Sequence, residues 1–136
     1  VVVAAVAIAC PVLMAGCSSG GSASCPSWAS FPTPQERYEE AVMVVTTASA
    51  TPGGTEEIFG VDAAAYDVVV DTIEKGKLPS SGKLRVISMP DPCGGEGLYS
   101  RGDPMATAGF LRLYLRDTDG LWATLTPDDG VEALAG

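Results

Sequence analysis

The chain has 136 residues, with 8 basic and 17 acidic side chains and no histidine, for a formal net charge of −9. The missing histidine excludes His-containing triads, His-based acid–base chemistry and His-ligated zinc, and the acidic balance repels phosphate backbones, so nucleic acid is not an expected partner. The length suits one domain with one modest core.

Residues 1–16 are apolar apart from an interruption at Cys10-Pro11. The run is shorter than the roughly 20 residues that a spanning helix needs. Its small-residue ending suits a processing signal, which is set aside in fold reasoning. Val12-Leu13-Met14-Ala15-Gly16-Cys17, followed by Ser18-Ser19-Gly20, resembles the lipobox of a bacterial lipoprotein precursor. The resemblance implies that residues 1–16 are cleaved as a signal peptide and that Cys17 becomes the lipid-bearing N-terminus, on the outer face of the cell membrane. Two features depart from the family: Met14 stands where Leu is usual, and no Lys or Arg precedes Arg37. With Val at position 1, the start is expected upstream or at a non-Met codon. A plain secretory leader and a buried strand are the alternatives. The acidic surface disfavours an anionic leaflet, which leaves acyl chains on Cys17 as the expected membrane attachment.

Residues 17–24 read as a Ser/Gly tether, about 25 Å long when stretched. Ordered chain is expected from Cys25-Pro26-Ser27-Trp28, with Trp28 and Phe31 covering an end of the core. Thr33-Pro34-Gln35-Glu36 predicts an N-cap, Pro at N1 and Glu at N3 of a helix of about two turns. Tyr38, Ala41 and Val42 are expected to pin it to the body. Glu36, Glu39 and Glu40 read as capping and solvated residues, since a metal site needs oxygens converging from several directions.

The β-branched run at 41–48 predicts a first strand, broken by Thr51-Pro52-Gly53-Gly54-Thr55, with residues 56–62 as a loop. Residues 66–73 alternate, with Tyr66, Val68 and Val70 on one face and Asp67, Val69 and Asp71 on the other. Asp67 and Asp71 lie about 13 Å apart along such a strand, too far to act on one bond. A third strand covers 83–89, with Leu84 and Val86 inward. The stretch 98–108 is ambiguous, a short helical turn being one reading. Residues 109–116 alternate with Leu111, Leu113 and Leu115 inward and Arg112, Tyr114 and Arg116 outward. Asp117-Thr118-Asp119-Gly120 is a hairpin turn into a fifth strand at 121–126, and residues 132–136 are expected to fray. The expected core is Val44, Val68, Val70, Leu84, Val86, Leu111, Leu113 and Leu125.

Three motif matches fail on inspection. The glycines at 76 and 82 are separated by five residues, one too many for a phosphate loop, and Leu84 stands where a Ser or Thr should bind Mg²⁺. The turn at 117–120 has Gly at its fourth position, whereas a calcium loop needs it at the sixth. Ser80-Ser81-Gly82-Lys83 matches Ser-x-x-Lys without the companion motifs, so Ser80 and Lys83 read as turn residues. No cofactor or metal is expected.

Five strands with an irregular stretch between the third and fourth match the order of a small five-stranded antiparallel barrel, mostly β with a short N-terminal helix. A small sandwich is the alternative. Val68-Val69-Val70, Ile73-Glu74-Lys75-Gly76, Gly82-Lys83-Leu84-Arg85-Val86, Cys93-Gly94 and residues 110–115 resemble the netrin/TIMP-like OB-fold domains of small actinobacterial secreted proteins and lipoproteins. The resemblance spans residues 25–131 and implies a disulfide between Cys25 and Cys93. Elimination points the same way once Cys10 leaves with the leader and Cys17 carries lipid, free thiols being the alternative. The chain departs from that family by a long loop between the first two strands, and an acylated Cys17 lacks the free amine that metalloprotease inhibition uses. OB-type barrels often bind on the face of strands one to three, which here predicts Thr47, Asp67, Val69, Arg85 and Ile87 as a mixed binding face. The expected function is a non-enzymatic, membrane-anchored binding or accessory module for an envelope protein or small ligand. The alternatives are a structural subunit of an envelope complex and a carboxylate-dependent hydrolase.

Overall fold

The structure, a computed structural model, describes residues 25–79, 81–95 and 97–135. The leader at 1–16, the tether at 17–24 with the proposed lipidation site Cys17, and Ser80 lie outside the described residues.

Helix α1 spans Pro34–Glu40 and is set by its cap. Glu36 N–H donates to Thr33 Oγ1 at 3.2 Å, and Thr33 N–H donates to Glu36 Oε2 at 3.0 Å, so two orphan amides are satisfied reciprocally. At the other end, Lys75 Nζ donates to the carbonyls of Tyr38 (2.8 Å) and Glu39 (3.2 Å), a cation on the negative end of the dipole. Tyr38 Oη donates to Glu74 O, and Ala41 is buried. Val42, expected to pin the helix as well, is exposed.

Five strands close a barrel: β1 Met43–Ile58, β2 Val61–Lys75, β3 Lys83–Ile87, β4 Leu111–Thr118 and β5 Leu121–Thr124. The order is β1-β2-β3-β5-β4, and Met43–Thr46 of β1 closes the ring on β4. All neighbours are antiparallel except β3 and β5, which pair in parallel at Val86/Trp122 and Ile87/Ala123, so the barrel is mixed. This is the fold class expected, an OB-like barrel with a short N-terminal helix. The ambiguous stretch contains one 3₁₀ turn, Pro104–Ala106, whose Met105 enters the core.

The loop expected at 56–62 is instead the end of a long β1–β2 hairpin. Its turn is Phe59-Gly60, both at positive φ (53° and 77°), the backbone that two-residue hairpin turns require. β1 passes Pro52 because its ladder beyond Thr46 faces β2 alone among the described strands, so a residue without N–H is tolerated on the outer side. Gly53 and Gly54 oppose the single residue Ala65, between the pairs Pro52/Tyr66 and Thr55/Ala64, a bulge rather than a break.

The barrel interior is filled by Met43, Val45, Val68, Leu84, Val86, Leu111, Leu113 and Leu115 with Tyr66 and Met105. Val44 and Leu125, expected there, are buried on the outside of the wall with Ala41 and Tyr114 under Phe31. Val70 is only half-buried. A third cluster of Ile58, Ala63, Ile87, Met89 and Ala123 closes one end beneath Trp28 and Phe59. The Cys25–Cys93 disulfide joins the chain entrance to the β3–β4 connection with Cα atoms 5.5 Å apart. The expected fraying from residue 132 does not occur at its start: Val131–Ala133 forms β6 on β4, and Leu134 N–H donates to Phe110 O. Glu132 is held there by Arg112 and Tyr114, which gives these last residues side-chain partners.

Candidate functional site

The outer face of β1–β3 carries an open groove of about 480 Å³, lined by Ser49, Thr51, Asp67, Val69, Lys83 and Arg85 among others. Strand alternation puts Asp67 and Val69 on one face of β2, and the pairing Asp67/Arg85 sets the two charges opposite each other. Arg85 Nε donates to Glu56 Oε1 at 2.8 Å and Nη1 lies 3.3 Å from Asp67 Oδ1. The Glu56 hydrogen bond, with the charges of Glu56 and Asp67, pushes the guanidinium above its ordinary value. These charges sit directly over the Gly53 backbone: a Cβ there would come within 2.6 Å of Asp67 Oδ2 and 2.9 Å of Arg85 Nη1. The bulge therefore leaves room for the guanidinium. Lys83 adds an ammonium with no ion-pair partner among the described residues, and Val69 adds an exposed apolar surface.

Of the five expected face residues, Asp67, Val69 and Arg85 meet in this groove. Thr47 and Ile87 do not belong to the exposed face: each is 1% exposed. Thr47 keeps the inward phase of Met43 and Val45, its Oγ1 accepting from Leu111 N–H at 3.1 Å, and the register shift between Thr47 and Ser49 turns the residues after it outward. Ile87 packs in the end cluster with Met89 and Ala123. Glu56, Ser49 and Thr51 were missed because the sequence was read as turning before Glu56. Ser49 and Thr51 lie on β1 past the strand expected at 41–48, and the extra residue of the Gly53-Gly54 bulge is what puts Glu56 on the face of Asp67.

A second polar cluster links the β2–β3 wall to the β3–β4 connection. Asp103 accepts from Tyr66 Oη, Ser88 Oγ and Met105 N–H. Tyr99 Oη donates to Ser88 O and accepts from Ala64 N–H. Burial first, then the Asp103 carboxylate, pushes the Tyr66 phenol well up, and burial raises Tyr99. Each group has its partner, so the cluster fastens the connection to the barrel. Ser81 Oγ accepts from Lys83 N–H at 3.3 Å, as a turn residue does. No group of three or more His, Cys, Asp or Glu able to hold a metal ion occurs among the described residues, and none of the described helices is long and apolar enough to cross a membrane.

Neither the protein-family models nor the curated proteins contain a match to this chain. The functional reading therefore rests on the groove. It offers hydroxyls, a carboxylate-braced guanidinium, an ammonium and apolar surface, a mixed surface suited to binding a polar ligand of low net charge.

Proposed function

We propose that the protein is a non-enzymatic binding module, held outside the cell by lipid on Cys17, whose β1–β3 groove receives an envelope protein or a small polar ligand. The observation that carries the reading is the groove itself, where Arg85 is fixed by Glu56 and Asp67 over Gly53 with Val69 and Lys83 beside it. A braced guanidinium is preorganised to donate its remaining N–H groups at little entropic cost. Two further features support the setting. The lipobox-like Met14-Ala15-Gly16-Cys17 supports the anchor, and a disulfide between two exposed cysteines suits an oxidising compartment.

The test is in two parts. Expressed with its leader in a host that processes lipoproteins, the wild type is expected in the membrane fraction with acyl mass on Cys17, and Cys17→Ser without it; an intact, unacylated chain beginning before Cys17 refutes the anchor. For the groove, photo-crosslinkers placed at Ser49 and Lys83 in cells are expected to capture a discrete adduct that Arg85→Glu abolishes. An adduct pattern indifferent to Arg85→Glu refutes the groove. Exposed Val69 and Ile73 on β2 favour a second reading, a structural subunit of an envelope complex; a constitutive complex that survives Arg85→Glu but is lost in Ile73→Asp identifies it.

A further inference from the structure

The β1–β3 groove does not end at β3. A second open groove of about 230 Å³ lies on the other side of that strand, and Lys83, Leu84 and Arg85 line both. The pair therefore runs without a break across β1, β2, β3 and β5, three strand spacings or about 14 Å.

The second groove exists because β3 meets β5 only at Val86 and Ile87, which leaves Lys83–Arg85 with no strand on that side. The bonds from Val70 N–H to Gly82 O and from Ser88 N–H to Ala64 O fix the alternation: even-numbered residues of β3 turn their backbone groups to β2, and Lys83 and Arg85 turn theirs to the β5 side. Lys83 N–H is taken by Ser81 Oγ at 3.3 Å, and its carbonyl lies 3.5 Å from the same hydroxyl. An added peptide strand needs backbone partners on alternate residues and finds only Arg85, so the face is poorly made for strand addition.

The charged residues lining the two grooves are Glu56, Asp67, Lys83 and Arg85, two of each sign in a chain of net charge −9. An anion meets two carboxylates and a cation meets two cations, so a neutral ligand is favoured. Glu56 and Asp67 each give one oxygen to Arg85 and keep the other. With the hydroxyls of Ser49 and Thr51 and the Lys83 ammonium, the face can both donate and accept along its length. Apolar surface flanks the charges at both ends: Val69, 42% exposed, on β2, and half-buried Trp122 with Leu121 and Pro79 beyond β3.

Resting on the reading of this face as the binding groove, we propose that its ligand is a neutral oligosaccharide. Sugar hydroxyls pair with Asp67, Glu56 and Lys83, and apolar ring faces pack on Trp122 at one end and Val69 at the other. The span exceeds one sugar ring, so a single sugar reaches one end only.

The experiment uses the full-length chain expressed with its leader, ¹⁵N-labelled and held in a sugar-free zwitterionic detergent. The indole N–H resonances of Trp28 and Trp122 are followed while maltohexaose, xylohexaose or chitopentaose is added to about 5 mM, five times a millimolar dissociation constant. At least one is expected to move Trp122 saturably and leave Trp28 in place, with its monosaccharide at least about tenfold weaker. Affinity is expected to hold within about twofold on raising salt from about 0.05 to about 0.5 M, as for an uncharged ligand. Asp67→Ala is expected to weaken binding about tenfold; that side chain is 67% exposed, so the variant decides the matter even where Trp122→Ala fails to fold. A Trp122 resonance unmoved by all three sugars overturns the proposal, as does equal affinity in wild type and Asp67→Ala. Tighter binding of a capped Ser/Ala hexapeptide overturns it in favour of a peptide. When the sugars fail but the crosslinked adduct still depends on Arg85, only the ligand class falls; when both fail, the groove reading falls with it.

Discussion

Removing the Cys25–Cys93 bridge tests how the domain is held at its entrance. The pair spans 68 residues of sequence, and closing a loop of that length in the unfolded chain is worth about 4.4 kcal/mol on the chain-entropy relation, against about 2–4 kcal/mol commonly measured. The double change Cys25→Ala/Cys93→Ala leaves neither partner of the bridge as a thiol, and both residues are exposed, so little packing is lost with them. What remains to hold the entrance includes the packing of Trp28 on the end cluster and of Phe31 on the cluster of Ala41, Val44, Tyr114 and Leu125, with Phe31 N–H donating to Asp129 Oδ2 at 2.9 Å and Arg37 Nε to Phe31 O at 2.8 Å. With a urea slope of about 2 kcal/mol per molar, the midpoint is expected to fall by about 1–2 M, read by tryptophan fluorescence. A fall below about 0.3 M with unchanged slope would refute the reasoning. It would mean that the unfolded chain is already constrained, or that the bridge strains the native state as much as it restricts the unfolded one.

Leu113→Ala, at a position with no exposure, is expected to cost about 2–5 kcal/mol in the same unfolding assay. Arg112→Ala, at a position whose alternation faces outward, is expected to cost about 1–3 kcal/mol, because the guanidinium joins Glu74 of β2 (2.7 Å) to Glu132 of β6 (3.2 Å) on the outer surface; a cost under about 0.3 kcal/mol shows that solvent screens the network. The hydrogen bond from Tyr114, then that from Arg112, hold Glu132 below the ordinary carboxylate value, while burial first and then the Glu132 bond carry the Tyr114 phenol up to about 12. The Glu132 contribution is therefore fully present above the unfolded value of about 4.3 and is lost as pH falls through the depressed folded value; Glu132→Gln is expected to flatten the acid limb of Tm against pH, and an unchanged limb counts against the assignment. Gly53→Ala drives a Cβ into Asp67 and Arg85, so it is expected to cost about 1 kcal/mol and shift the Arg85 Nε–H resonance; an unmoved resonance shows that the braced geometry does not depend on the bulge.

The regular part of this fold was legible in the sequence because alternation survives wherever the ladder is unbroken. Leu111, Leu113 and Leu115 face inward, Thr33 and Glu36 form the capping box, and Asp119-Gly120 turns the β4–β5 hairpin. The readings that failed sit where period two is interrupted. Thr47 keeps the inward phase of Met43 and Val45 while the shift after it turns Ser49 outward, and Pro52-Gly53-Gly54 carries ordinary turn chemistry yet lies within a strand, because only pairing with β2 could reveal an edge that tolerates it. Tyr114 points outward as the pattern says, and Val44, expected in the core, does so too; burial there depends on Phe31 and Ala41 folding back from the chain entrance, which strand periodicity does not report. Half of the candidate groove was found for the same reason: Asp67, Val69 and Arg85 lie on regular stretches, and Glu56 lies beyond the bulge.

The free side of β1 has a consequence for how copies of this chain meet. An open strand edge offers its unused N–H and C=O groups to any other extended chain, and long flat edges are templates for aggregation. Here the edge is interrupted near its middle. Pro52 removes a donor, and the two glycines that follow break the spacing a second strand would need to stay in register. Glu56 and Glu57 then place carboxylates on the next turn of the ladder. An incoming copy finds at most a few consecutive hydrogen bonds before meeting a gap and like charge, so crowding molecules side by side need not zip them together.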